Sequence, residues 1–272
     1  MADLRIGGMA LRDGVFLQSQ DNWAAAVRLP DGEVKVRSGA KSRLPGRGVF
    51  DRVPVVRGVS RLIETTTALP AMRRALGRPV LPQEDPALLG AALASAAATV
   101  VLRRTMKQAP LLRELTVSAL SVVPALLAVH ASELSRFHGA EHKSVAAYET
   151  GGEPAAAAKE HDRCGTNLLG PLLLTNLGSG LVLRATRNDN DPLSTLFMGL
   201  VSLGSAFEIF SWMAHHRGHP LAELLRAPGV TMQRLFTTRE PSSDQLDVAQ
   251  AALKELLRAE GVATAPASVA AV

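Results

Sequence analysis

LLGPLLLTNLGSGLVL (168–183) and LSTLFMGLVSLGSAFEIFSWM (193–213) decide the architecture of this 272-residue chain. Together they carry one acidic residue, Glu208, and no lysine or arginine. Each approaches the ~20 apolar residues that a helix needs to cross a bilayer. Their many small residues let membrane helices come close to one another. Two weaker apolar stretches precede them, at 86–102 and 115–131, and the first is rich in alanine. With the later runs taken as 168–185 and 192–214, the chain reads as mainly α, a multi-pass helical membrane protein of about four apolar spans. A soluble all-helical protein with buried core helices is the competing reading of apolar runs this short.

Outward from the spans the character changes. Residues 5–36 read as strands, with paired glycines, an alternating run ending at Arg28, and Asp31-Gly32 as a hairpin turn. Gly7, Gly8 and Gly14 fit neither a Walker loop nor a dinucleotide fingerprint and read as turn residues. The basic segment 38–48 reads as an exposed loop. In VPVVRGVSRLIETTTALPAMRRAL (53–76), Val56, Val59, Ile63 and Thr67 recur at helical spacing, with Arg57, Arg61, Arg73 and Arg74 on other faces. That is the pattern of an amphipathic helix lying on a membrane surface, or packed on the small sheet. Near the carboxy terminus, Ser242 and Gln245 make a capping-box signature ahead of the stripe Leu246, Ala249, Leu253 and Leu256, with Gly261 as a stop. The expected units are an amino-terminal sheet plus helix (1–80), a helical membrane domain (81–216), a soluble segment ending in an amphipathic helix (217–261), and a loose tail (262–272).

Composition narrows the partners. Lysine and arginine exceed aspartate and glutamate by five, but the bases are dispersed, and seven Phe, two Trp and one Tyr are thin for a base-stacking surface. A lipid bilayer is therefore the expected partner and nucleic acid is not. A single cysteine excludes an internal disulfide framework and fits a reducing compartment. MADLRIGG lacks the basic-then-apolar pattern of a secretory signal peptide. Arg103, Arg104, Lys107 and Arg113 lie between the first two spans; Arg73, Arg74, Arg78, Arg217 and Arg226 flank the opposite side. The larger set points to a cytoplasmic amino terminus and ligand loop.

The chemistry concentrates in FHGAEHKSVAAYE (137–149) and HDRCGT (161–166). His138 and His142 stand four apart in a segment of good helix formers, so their imidazoles stack on one face, a turn apart. Glu141 between them gives H-x-x-E-H, an order in which two histidines bind zinc and the carboxylate works on water. His161 and Cys164 supply a third and a fourth ligand, and a thiolate beside imidazoles selects zinc or another divalent transition metal over magnesium or calcium. The same four residues fit two sites: an open catalytic one with three protein ligands, and a closed one that staples the loop. Glu208 is a further candidate, since an ionisable group in an apolar span faces the bundle interior or water, although an interhelical hydrogen bond explains it equally.

These motifs resemble the YqhQ-like family of bacterial membrane proteins, domain of unknown function 1385, described as predicted metal-dependent enzymes. The resemblance runs through GGMALRDGV, VPVVRGVSRLIE, FHGAEHKSVAAYE with HDRCGT, FEI in the last span, and APGVTMQRLFTTREPSSDQLDVAQAAL. It implies a multi-pass protein of a bacterial cytoplasmic membrane in which His138, Glu141, His142, His161 and Cys164 share one site, with Arg163, Arg57 and the TTREP segment nearby. Met9 and Asp13 depart from the family's Gly-Gly-Gln-Ala and Glu, Ala206-Phe207 from its Ser-Tyr-Glu, and Asp162 from a common Pro; the ligand positions do not depart.

Three functions follow as expectations. The first is a zinc hydrolase in which Glu141 accepts the proton of the attacking water and Arg163 stabilises an oxyanion or an anionic substrate group. The second is a non-catalytic scaffold, stapled by a structural metal and docking a membrane-protein partner such as the protein-export channel. The third is a proton- or ion-coupled carrier using Glu208 and His130, disfavoured by the absence of a visible repeat.

Overall fold

The computed structural model describes residues 4–42, 52–81, 84–106, 108–130, 132–188 and 191–262. The basic loop expected over 38–48, the turn at 188–192 and the tail lie wholly or partly outside these residues. So do the side chains of residues 128–132, His130 included.

Strands β1 (Gly7–Leu11), β2 (Gly14–Gln18), β3 (Asn22–Arg28) and β4 (Val34–Ala40) form an antiparallel meander in the order β1-β2-β3-β4. The expected β3–β4 turn is present, with Gly32 at φ 88°. The turns expected at Gly7 and Gly8 are not, since both lie inside β1, whereas Gly14 closes the Arg12–Asp13 turn and opens β2. Close approach is the reason for two of them. A Cβ on Gly14 would strike the Ala26 carbonyl across the ladder, and one on Gly8 would strike the Glu141 carboxylate.

Alternation along the strands sends side chains to two cores. On one face, Val15, Leu17, Ala24 and Ala26 meet helices α5 (Ser132–Thr150) and α9 (Ser243–Ala259), which contribute Phe137, Val145, Leu253 and Leu256. On the other, Phe16, Trp23, Ala25 and Val27 meet α2 (Leu69–Leu76) through Met72 and Leu76. Each large side chain so withdrawn from water contributes about 1.5–3 kcal/mol. Ser242 and Gln245 close a reciprocal cap on α9. Where the spacing suggested one helix, there are two: α1 (Val56–Thr66) and α2, separated at Thr67–Ala68 just before Pro70. Only α2 packs on the sheet; Gly58 of α1 crosses Gly204 of α7 (Pro192–His215) so tightly that a Cβ on either would clash.

Helices α3 (Pro86–Thr105), α4 (Pro110–His130), α6 (Leu169–Ala185) and α7 form a bundle beside this layered unit. Among the described residues, three helical runs are long and apolar enough to cross a membrane: α3, Gly165–Ala185, which ends in α6, and α7. Only 6%, 22% and 17% of their apolar stretches are buried, so most of that surface is left facing outward. The remaining expected span falls on α4, whose final side chains are not described. Glu114 on α4 is fully buried and lies against Arg113 (2.7 Å) and Arg103 (3.4 Å), in space left by Gly180 of α6. Two bases that the sequence assigned to a loop are therefore engaged with a carboxylate inside the protein. Helix α8 (Pro220–Met232) continues through Pro228 into a π-helical turn, Gln233–Thr237, and packs Gly229 against Asn167.

Candidate metal centre

Leu134, His138 and His142 occupy successive turns of α5, on the side that also contributes to the sheet's core. Behind His138 runs the chain segment that leaves the π-helical turn. Gly139 has no side chain, so the Arg239 carbonyl can press against α5 where a Cβ would collide, and the Arg239 amide donates to the Ser135 carbonyl at 2.9 Å. This fixes the Thr237 carbonyl 2.8 Å from His138 Nδ1. His142 Nδ1 lies 2.6 Å from the Lys159 carbonyl. A carbonyl oxygen only accepts, so both Nδ1 atoms carry the proton and both Nε2 atoms carry a lone pair.

One of those lone pairs meets a sulfur. His138 Nε2 stands 3.2 Å from Cys164 Sγ, and one donor atom each from His138, His142 and Cys164 fall within 4.8 Å of one another. Donors around a tetrahedral zinc are roughly 3.3–3.8 Å apart, given the usual Zn–N and Zn–S lengths. The cluster needs to contract by no more than about 1.5 Å at its widest. Two imidazoles held in one tautomer by carbonyls, with a thiol that also accepts the Thr166 hydroxyl at 3.2 Å, fit a zinc-type ion.

Glu141 is buried next to the cluster, its Oε2 3.5 Å from His142 Nε2. Burial pushes its carboxyl above the ordinary carboxylate range, with the His138 and His161 rings pulling it back. His161 is close but engaged elsewhere. Its ring lies 5.7 Å from that of His142, its Nδ1 accepts the Arg163 amide at 3.3 Å, and its Nε2 faces the Glu149 carboxylate at 3.3 Å. Burial lowers its basicity, His142 lowers it further, and Glu141 and Asp162 oppose both. The structure thus brings together three of the four expected ligands and Glu141, and leaves His161 beside them in a neighbouring ion-paired group. Arg163 belongs to that group through its pairing with Glu149.

Arg57 and Glu208 make a contact of their own. They pair with each other, Arg57 Nε donating to Glu208 Oε1 at 3.0 Å, and join α1 to α7 beside the Gly58–Gly204 crossing. Glu208 makes an interhelical hydrogen bond, and its partner is Arg57.

A profile described as "Protein of unknown function (DUF1385)" matches residues 92–259, which include every residue of the cluster. The chain belongs to the DUF1385 family. It is 24% identical, over 304 aligned positions, to the uncharacterized protein YqhQ of Bacillus subtilis (strain 168), covering 94% of this chain and 93% of that one. No solved structure matches.

Several groups that shape this DUF1385 centre escaped the motif reading. Gln233 is fully buried; its amide donates to the His161 carbonyl and Asn167 Oδ1 at 3.2 Å each, and its Oε1 accepts the His161 amide at 2.8 Å. Asn167 donates to the Asp162 carbonyl at 2.7 Å. Together they hold 161–164 in the shape that presents Cys164. Backbone carbonyls such as those of Thr237 and Lys159 leave no mark on a sequence. Gly139, inside the H-G-A-E-H string, was the visible sign that another chain segment crosses there.

Proposed function

We propose that this chain is a metal-dependent membrane hydrolase whose centre lies at the membrane face. The observation that carries the reading is the commitment of both Nδ1 protons to carbonyls, which leaves both Nε2 atoms able to ligate, that of His138 beside the Cys164 sulfur and all three residues with a ligand atom within 4.8 Å of one another. His138, His142 and Cys164 would hold the ion. Zinc, or another divalent transition metal, supplies Lewis-acid polarisation when bound.

Every other role belongs to the chain. Glu141, with its proton affinity raised by burial, accepts a proton from water and returns it to the leaving group. Gly8 keeps the strand above Glu141 without a side chain, so the carboxylate can reach toward the cluster. Arg163 lines the adjoining cavity and, once released from Glu149, binds an anionic group of the substrate. The reading includes four spans, α4 among them, a bacterial cytoplasmic membrane, and a centre on the cytoplasmic side, supported by the bases near 73–78 and 217–226.

One observation also favours a second reading. Glu141 is near enough to His142 Nε2 to complete a closed four-donor site, which would staple α5 to the 161–164 loop in a scaffold that docks a membrane protein. Glu141→Gln separates the two. Purified protein in lipid nanodiscs is assayed for bound zinc and for hydrolysis of a panel of nitrophenyl esters. The hydrolase reading expects the variant to keep its zinc and to lose about 10²–10⁴-fold in rate. Loss of zinc without any ester hydrolysed by the wild type would support the staple.

A further inference from the structure

A cavity of about 740 Å³ adjoins the cluster, and its lining is divided by chemistry. At one end are His138, Glu141, His142, Cys164 and Thr166. Much of the remaining wall is apolar and comes from helices of the bundle, Leu89 and Ala92 of α3, Val122 and Leu126 of α4, Leu169 and Leu172 of α6, with residues 5–10 at β1, His161 and Arg163 also lining it. Leu89 is 59% exposed, on a helix apolar enough to span, so the surface that would face lipid is also a wall of the cavity.

We propose that this cavity is an acyl-chain site and that the substrate class is an acyl lipid of the bilayer, an ester or amide whose carbonyl lies at the His-His-Cys end. The inference rests on the hydrolytic reading of the centre. Size selects the occupant. A transmembrane peptide, as a helix about 10–12 Å across, fills roughly 500 Å³ for each 5.4 Å turn, so the cavity would admit little more than one turn. A single extended chain with its reactive group fits the range of about 300–1,000 Å³ typical of small-ligand pockets. A fully polar substrate would leave the bundle's apolar wall without a partner.

The reaction balances with water alone. Its oxygen bonds to the acyl carbon while the bond from that carbon to the headgroup oxygen or nitrogen breaks. One proton passes through Glu141 to the leaving headgroup, and the products are a fatty acid and an alcohol or amine.

The test uses the full chain in nanodiscs containing a phospholipid with a photoactivatable diazirine in its acyl tail. Cross-links are expected at residues 89–92, 122–126 and 169–172. They should fall at least fivefold in Ala92→Trp, which fills the cavity, and persist in Ala94→Trp, which places the same bulk on the exposed opposite side of α3. Cross-links confined to outward residues such as Leu93 and Val100, unchanged by Ala92→Trp, would overturn the proposal. A second arm needs no filled variant. With water-soluble nitrophenyl esters from acetyl to octanoyl, kcat/KM should rise about two- to fourfold per methylene. Leu172→Ala should move the preferred chain to a longer one. Hydrolysis indifferent to chain length would sink the acyl site and leave the hydrolase standing. Cavity cross-links with no ester hydrolysed would uphold the acyl site and remove the hydrolase.

Discussion

Gly139→Ala sets two physical effects against each other while leaving every ligand in place. Considered as a helix position alone, alanine in place of glycine stabilises by about 0.5–1 kcal/mol. In this fold the new Cβ would meet the Arg239 carbonyl oxygen. That segment can retreat only by lengthening two hydrogen bonds, Arg239 amide to Ser135 carbonyl at 2.9 Å and His138 Nδ1 to Thr237 carbonyl at 2.8 Å. At about 1 kcal/mol each, with about 1–3 kcal/mol for overpacking, the cost is about 3–5 kcal/mol before the helix gain. The net expectation is a loss of about 2–4 kcal/mol of stability. Zinc affinity should fall about 10–100-fold, because His138 loses the carbonyl that orients it. Denaturation midpoints in detergent and competitive zinc titration measure the two effects. An alanine variant as stable as the wild type, or more so, with unchanged zinc affinity would refute the packing of 237–239 against α5.

Breaking the Arg57–Glu208 pair by Glu208→Gln should lower the unfolding midpoint and leave zinc affinity untouched, and a double-variant cycle with Arg57→Met should return a coupling of about 0.5–3 kcal/mol. Glu114→Gln leaves Arg113 and Arg103 facing a neutral amide in a buried site; a loss of about 3–5 kcal/mol is expected, and a loss below ~1 kcal/mol would contradict the buried cluster. Acid stability should depend on Glu255, whose carboxyl is held at about 2 by hydrogen bonds from Arg258 and then Ser38. A depressed carboxyl stabilises above its unfolded value near 4.5 and ceases to as pH falls from there toward 2. The group is partly open to solvent, so screening leaves on the order of 1 kcal/mol, and Glu255→Gln should flatten the unfolding midpoint between pH 5 and pH 3 by about that amount.

The parts legible in the sequence were those written in side-chain periodicity. Apolar runs suggested four spans, three of which fall on helices long and apolar enough to cross a membrane, and the four-residue step of His138 and His142 marked a common face, because both depend on local helical geometry. The β3–β4 hairpin was legible for the same reason, since Asp31-Gly32 encodes its own turn. What failed to show depended on distant partners. Gly7, Gly8 and Gly14 read as turn formers, but two of them stay small because the Glu141 carboxylate and the Ala26 carbonyl come close from elsewhere. His161 matched a ligand by type and spacing, but its contacts with the Arg163 amide and the Glu149 carboxylate, which engage both its nitrogens, could not be read from the motif. Arg103 and Arg113 counted as loop charges until Glu114 was found between them.

The central claim is that His138, His142 and Cys164 close on a single ion. X-ray absorption at the zinc edge of protein purified in lipid nanodiscs, with metal content measured on the same sample, tests it directly. The account expects about one ion per chain, with two imidazole nitrogens and one sulfur at about 2.0 and 2.3 Å, and loss of the sulfur shell in Cys164→Ser. Protein that binds no transition metal, or whose metal shell holds no sulfur, would contradict it.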